Sequence, residues 1–390
     1  MKKPIIFIFL IITGLLLILP NFSAGVVYAS GLSDNKISEI NISSKAGLLL
    51  DYQTGKVLFD KNSDERLPIA SMTKLATLAI VFDAISKGAI KESDMVQVSQ
   101  TASKVGGSSA FLDAGSSYKV SELIKSVIIA SANDSSVALA EHIAGSEELF
   151  VSRMNKFASS LNLKNTNFKN CTGLPKSDHY SSAKDIAEIY KTICNNTIYK
   201  KYSKVWMDDF LHPSGRRTGL VNTNKLIKTY EGIEGGKTGY TDAAKFCLTA
   251  SASRGNLRLV GVIVGAVDSK TRFAEMSKLF NYGFSNFDSK QMANKDVPVA
   301  ITGVQRSEKK IEVYPEKNLS ILINKNDGKT YNTDFKLDEL KAPIKEGSVV
   351  GKLFVFDENN MVIDEVNLVT KTEVLEISFK ERLKKLVAVW

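Results

Sequence analysis

Apolar positions divide the chain into stretches of different period. Residues 46–50 and 56–59 are short apolar runs on either side of Asp51-Tyr52-Gln53-Thr54-Gly55, and predict two strands with Gly55 in the turn. From Ser71 to Lys87 the apolar residues recur at helical spacing and stop before Gly88, which predicts a helix over 71–87. Residues 94–118 are rich in Ser and Gly around Val105-Gly106-Gly107-Ser108-Ser109, and predict loops with short helices. A strongly apolar helix follows over 120–130 and runs into Ser131-Ala132-Asn133-Asp134. Those polar residues read either as a helix cap with a new N-cap for 135–144, or as groups presented to a cleft; the local sequence favours the cap.

Helical spacing continues over 146–161, and Ser181-Ser182-Ala183-Lys184-Asp185 reads as a capping box for a helix over 183–194. After a looping region, residues 231–240 lead into two strands, 245–254 and 257–266, with Gly255-Asn256 as their hairpin. A helix over 271–282 closes this part. Helices that precede and follow a mainly antiparallel sheet predict an α+β domain. The pattern changes near 286–295. From 297 onward short alternating runs (311–314, 319–323, 349–356, 362–369) separated by turn signals predict a small all-β domain, a sandwich.

Both ends of the chain depart from these patterns. Lys2-Lys3, an apolar run over 5–20 and Val27-Tyr28-Ala29 make the three parts of a secretory signal cleaved after Ala29. An uncleaved anchor is the alternative, although the run is short for a span. Near the C-terminus Leu375, Phe379, Leu383, Leu386, Val387 and Trp390 fall on one face of a helical wheel, with Lys380, Arg382, Lys384 and Lys385 on the flanks and opposite side. A basic amphipathic helix of this kind predicts attachment to a membrane surface; a helix docked on the β-domain is the plainer reading. The expected organisation is a signal over 1–29, a leader over 30–45, domains over 46–288 and 295–372, and an amphipathic helix over 374–390.

Composition narrows the chemistry. At 390 residues and 44% hydrophobic content the chain exceeds one typical domain. Its net charge of +9 falls to about +7 without the signal, whose only charged residues are two lysines. No nucleic-acid motif accompanies that charge, so none is expected as a partner; an exported basic protein suits anionic lipid or wall polymer. Cys171, Cys194 and Cys247 are odd in number and widely spaced, consistent with buried thiols, or with one disulfide and a spare. His142, His179 and His212 form no H-x-H or H-E-x-x-H pattern, so neither metal nor cofactor is expected. His142 reads as a helix-surface residue and His179 as a loop residue. No G-x-S-x-G elbow is present.

The candidate chemistry starts at Ala70-Ser71-Met72-Thr73-Lys74. A serine hydroxyl needs an adjacent base, and a lysine one helical turn later reaches it. Lysine serves only if desolvation or a second cation lowers its pKa. Ser33/Lys36, Ser116/Lys119, Ser181/Lys184 and Ser307/Lys310 share the spacing, so it decides little by itself. Ser71 differs in following Arg66-Leu67-Pro68 and preceding a long apolar helix. Ser131-Ala132-Asn133 and Lys237-Thr238-Gly239 then occur in order, the last running straight into a strong strand pair. The competing Ser33-Asp34-Asn35 and Arg217-Thr218-Gly219 lack that setting.

This ordered set, S-x-x-K, S-x-N and K-T-G, resembles penicillin-binding proteins and class A β-lactamases. Pro68-Ile69-Ala70-Ser71, Ser131-Ala132-Asn133-Asp134, Gly173-Leu174-Pro175, His179-Tyr180-Ser181-Ser182-Ala183, Gly236-Lys237-Thr238-Gly239-Tyr240-Thr241 and Ala342-Pro343-Ile344-Lys345 resemble one branch, the serine-type D-alanyl-D-alanine carboxypeptidases. The resemblance implies a transpeptidase-like α+β domain followed by a β-sandwich. It implies that Ser71 attacks the carbonyl between two terminal D-alanines of a peptidoglycan stem peptide, and that Lys74 takes its proton. Ser131 would relay a proton to the leaving group, and Asn133 would hold the substrate backbone. Lys237 would keep Lys74 neutral and, with Thr238, bind the terminal carboxylate beside Gly239. Backbone N–H groups of Ser71 and Tyr240 would form the oxyanion hole, and β-lactams would acylate Ser71. It places the enzyme at the outer face of the cytoplasmic membrane or in the wall.

Some relatives carry Asn-Arg-Asn before the third motif; this chain has Asn222-Thr223-Asn224. Carboxylate recognition then rests on Lys237 and Thr238, or on Arg216 or Arg217. A β-lactamase would be expected to carry Glu-x-x-Leu-Asn between Ser131 and Lys237, and this chain has none. A non-catalytic wall-binding protein would be expected to have lost one of the motifs, and all three are complete.

Overall fold

The computed structural model describes residues 40–378. The expected signal over 1–29 and most of the leader lie outside them. A five-stranded antiparallel sheet runs in the order Val57–Lys61, Ala46–Asp51, Leu257–Ala266, Lys245–Arg254, Ile233–Thr241. The central strand Leu257–Ala266 is apolar from Leu259 onward because both of its faces are covered there. Leu259 and Ile263 pack with Met276, Leu279 and Phe280 of the helix Ser269–Asn286. Val260, Val262 and Val264 point the other way, into the core shared with the helices Lys74–Ser86 and Ala183–Ile193. Gly261 fits that helix closely, since a Cβ there would lie 2.5 Å from Met276 Sδ.

The strands 245–254 and 257–266 have the predicted bounds. The segment before them does not have the predicted form. Lys237-Thr238-Gly239 lies within a nine-residue edge strand, Ile233–Thr241, rather than on a lead-in to the sheet. Glycines hide this strand from a propensity reading. They are needed for close approach: a Cβ on Gly236 would stand 2.4 Å from Thr249 O.

The helix predicted from Ser71 begins later. Ala70–Thr73 form a 3-10 turn and the α-helix is Lys74–Ser86, whose side chains from Lys74 to Phe82 are all buried. Ser182 caps Ala183–Ile193 by accepting from Asp185 N, but the Asp185 carboxylate turns to Asn165 N and Thr166 Oγ1 instead of completing a capping box. Within the looping region the hairpin Met207–Leu211/Arg217–Val221 was not anticipated. Cys171, Cys194 and Cys247 are buried free thiols.

The C-terminal part is all-β. Phe287–Ala293 pairs with Leu319–Asn324, and a five-stranded sheet runs Ala300–Gly303, Lys310–Pro315, Val362–Thr370, Val349–Phe356, Asn332–Leu337. Ile311, Val313, Leu353, Val355 and Leu368 from the larger sheet share one core with Leu319 and Ile321 of the smaller. The first of these strands begins ahead of the expected start at 295. The helix expected over 374–390 does not begin at 374: Val374 bridges Ile344 and residues 375–378 are irregular. Residues 379–390 lie outside those described. Among the described residues no helix is long and apolar enough to cross a membrane.

Candidate active site

Ser71 sits half-buried in the 3-10 turn, and Lys74 opens the helix behind it. Lys74 is wholly buried; its Nζ donates to Ser71 Oγ at 2.8 Å and to Thr172 O at 2.7 Å. Burial pushes its pKa down to about 7, so a large fraction is neutral near neutral pH. With Thr172 O holding one N–H, the lone pair of the neutral amine is left for the Ser71 hydroxyl. The Thr172 carbonyl is itself fixed, because Asn170 Oδ1 accepts from Gly173 N at 2.7 Å and Thr172 N at 3.2 Å. Gly173 must be glycine: its φ is +84° and a Cβ would fall 1.9 Å from Ala70 O. Neither Asn170 nor Thr172 was singled out from the sequence, since only the fold brings them to Lys74.

Between Ser71 and Lys74, Thr73 Oγ1 lies 2.8 Å from His179 Nε2. His179 Nδ1 accepts from Lys169 N at 3.1 Å, so the proton sits on Nε2 and is donated to Thr73. His179 is a loop residue, as expected, but a buried one that braces the serine turn. Burial pushes its pKa down to about 4. His179→Gln should therefore lower acylation of Ser71 without moving its pH dependence between pH 5 and 8. The linkage has a definite sign: the unfolded histidine titrates near 6.5 and the folded one near 4. Wild-type stability then falls relative to the variant as pH drops from about 6.5 to 4. Denaturant melts at those two pH values check it.

Ser131 joins the helices Val120–Ile129 and Asn133–Ala144 with φ +63°, a conformation non-glycine residues rarely hold. The favoured cap reading is corrected here: the second helix starts after Ala132 with no side-chain cap bond, and the first ends at Ala130, whose backbone N–H bonds back to Ser126 O. Ser131 Oγ instead accepts from Lys237 Nζ at 2.8 Å. Asn133 N donates to Ser108 O at 2.7 Å and its Nδ2 to Gly106 O at 2.6 Å, while Oδ1 is buried without a partner. Asp134 fixes the same loop, accepting from Ser109 Oγ, Ala110 N and Leu112 N at 2.5–3.0 Å.

Lys237 is 1% exposed and also donates to Thr238 O at 2.9 Å. Burial first, then the like charges of Lys74 and Arg272, hold its pKa well below the usual lysine value. The sequence reading made Lys237 the cause of a neutral Lys74. Burial is the leading cause at Lys74, and it is also the leading cause at Lys237, ahead of the like charges. Gly239 brings the edge strand against the serine turn: a Cβ there would stand 2.7 Å from Ile69 O and 3.2 Å from Ser71 N. Tyr240 stacks on Phe246 with ring centroids 4.5 Å apart, its hydroxyl on Asp242.

Thr238 Oγ1 donates to Thr223 Oγ1 at 2.7 Å, so the residue in the expected arginine position does touch the third motif. Arg216 and Arg217 do not bond to it. Arg216 donates to Phe111 O and Asp113 Oδ1 at 2.6 and 2.8 Å, and Arg217 pairs with Asp209 at 3.4 Å. Lys237, which donates only to Ser131 Oγ and Thr238 O, pairs with no carboxylate among the described residues, which leaves its amine free to meet an anion in the cleft. No cluster of metal-ligating side chains occurs among those residues.

The family model described as D-alanyl-D-alanine carboxypeptidase matches residues 33–268, and the one described as penicillin-binding protein 5, C-terminal domain, matches 287–376. The chain is 40% identical over 358 residues to D-alanyl-D-alanine carboxypeptidase DacF of Bacillus subtilis, covering 91% of this chain and 92% of the relative. It is 33% identical to DacA of Escherichia coli K12, over 87% and 85% of the two chains. Among solved structures, penicillin-binding protein 5 of Haemophilus influenzae superposes with a TM-score of 0.74 at 31% identity, covering 87% of this chain and all of that one.

Proposed function

This chain belongs to the D-alanyl-D-alanine carboxypeptidase family of serine peptidases, and on that premise we propose how its own residues carry the reaction. It is a serine D-Ala-D-Ala carboxypeptidase with a penicillin-binding-protein fold. The substrate is a peptidoglycan stem peptide ending in D-Ala-D-Ala.

Neutral Lys74 takes the proton as Ser71 Oγ attacks the carbonyl between the two D-alanines. Negative charge gathers on that oxygen, facing the N–H groups of Ser71 and Tyr240. The C–N bond breaks, the leaving amine receives a proton through Ser131, and free D-alanine departs. The remaining peptide is an ester on Ser71, which water hydrolyses to regenerate the serine. Lys237 and Thr238, the latter with Thr223 behind it, receive the terminal carboxylate. The unpartnered Asn133 Oδ1 accepts an N–H of the peptide backbone. A β-lactam acylates Ser71 by the same steps. The observation that carries this reading is the pair of 2.8 Å contacts, Lys74 Nζ to Ser71 Oγ and Lys237 Nζ to Ser131 Oγ.

The enzyme acts outside the cytoplasmic membrane, held to its surface by the basic apolar segment ending at Trp390. Assay of D-alanine release from a pentapeptide, with Ser71→Ala as control, tests the activity. Wild type should release D-alanine and the variant none; equal release by both removes Ser71 from the mechanism.

A further inference from the structure

We propose that Arg272 is a positioning residue for the oxyanion hole: it holds and polarises the Gly239–Tyr240 peptide so that Tyr240 N–H faces the carbonyl under attack. This rests on the reading of Ser71 as nucleophile and of Tyr240 N–H as an oxyanion donor.

Arg272 lies in the first turn of the helix Ser269–Asn286 and is 6% exposed. Its Nη1 donates to Gly239 O and to Cys247 O, both at 3.2 Å, and Nη2 donates to Ser269 Oγ at 3.2 Å. Nε is buried without a partner. The Phe246 and Phe273 rings lie 5.5 and 4.6 Å from the guanidinium carbon and fix its place. Several effects oppose a cation here. Burial lowers its pKa to about 10, the N-terminal end of a helix repels positive charge, and Lys237 is close enough to be repelled as well. A neutral amide would satisfy the carbonyls at less cost, so the charge itself calls for an explanation.

Gly239 O and Tyr240 N–H belong to one planar trans peptide and point in opposite directions. Arg272 draws the carbonyl from the side of the neighbouring strand, where it also binds Cys247 O. The register of that neighbour with Leu257–Ala266 breaks between Phe246 and Leu248, around Cys247. Tyr240 N–H is thereby turned to the open edge of the sheet, the side on which Gly239 meets the Ser71 turn. A charged donor on the carbonyl also strengthens the N–H of the same peptide as a donor.

The test uses the full chain with Arg272→Gln and Arg272→Lys. Rate constants are measured only on the fraction that a fluorescent penicillin labels. Arg272→Gln should lower kcat and penicillin acylation by about 10- to 100-fold, part of the loss that follows removal of an oxyanion donor, with KM changed less than about threefold. Affinity for a peptide boronic acid, whose tetrahedral adduct puts an oxygen in the hole, should fall by the same factor. Arg272→Lys should lie between, and carries the test if Arg272→Gln does not fold. Wild-type rates in a folded variant, or a loss confined to KM, would overturn the proposal. A wild-type enzyme that neither releases D-alanine nor labels at Ser71 would instead overturn the reading beneath it.

Discussion

Replacing Lys74 with methionine is expected to lower penicillin acylation and D-alanine release by about 10³-fold or more, in the upper range for loss of a positioned base. The fold should survive the change. Lys74 is wholly buried, and methionine fills similar space with no amine to desolvate. The variant leaves Thr172 O without its 2.7 Å donor, a cost of about 1–3 kcal/mol that removal of the buried amine offsets. A lost rate in a folded variant then reports chemistry. Rapid-mixing measurements of fluorescent-penicillin acylation check it, and a loss under tenfold would point to another base.

Lys237→Gln should lower kcat/KM for a D-Ala-D-Ala peptide by about 10²-fold. Removing one partner of a buried charge pair costs about 2–5 kcal/mol, and each 1.4 kcal/mol is tenfold. The same peptide with its C-terminal carboxylate amidated should be a poor substrate for wild type and lose much less in the variant. Equal losses on the two peptides would show that Lys237 acts through Ser131, to which it donates at 2.8 Å, rather than on the carboxylate. The neighbouring cations make this comparison informative, because neither Arg216 nor Arg217 reaches Thr238.

The three motifs were legible in the sequence because each is a short string with a distinctive setting. Strands 245–254 and 257–266 were legible too, since Gly255-Asn256 marks a hairpin and residues 259–266, buried on both faces, carry no polar side chain. What was hidden depends on contacts distant in the chain. Gly235, Gly236 and Gly239 disguise the edge strand, and their reason is the approach of Ser203, Thr249 and Ile69. Ser131 resembles a cap because Ser and Asn favour caps locally, and only Lys237, far along the chain, shows otherwise. Arg272 looks like an ordinary helix residue until the Gly239 carbonyl is found against it. The cause of the Lys74 shift was half legible: the convergence of two lysines follows from the motifs, but the depth of burial does not.

The account depends on a lysine that is buried, uncharged and bonded to Ser71. Its most direct test is the second-order constant for penicillin acylation between pH 5 and 9. Only the unprotonated amine accepts the serine proton, so the constant should rise with pH through an apparent pKa near 7 and then level off. A constant independent of pH across that range, or one rising only above pH 9 as for an ordinary lysine, would contradict it.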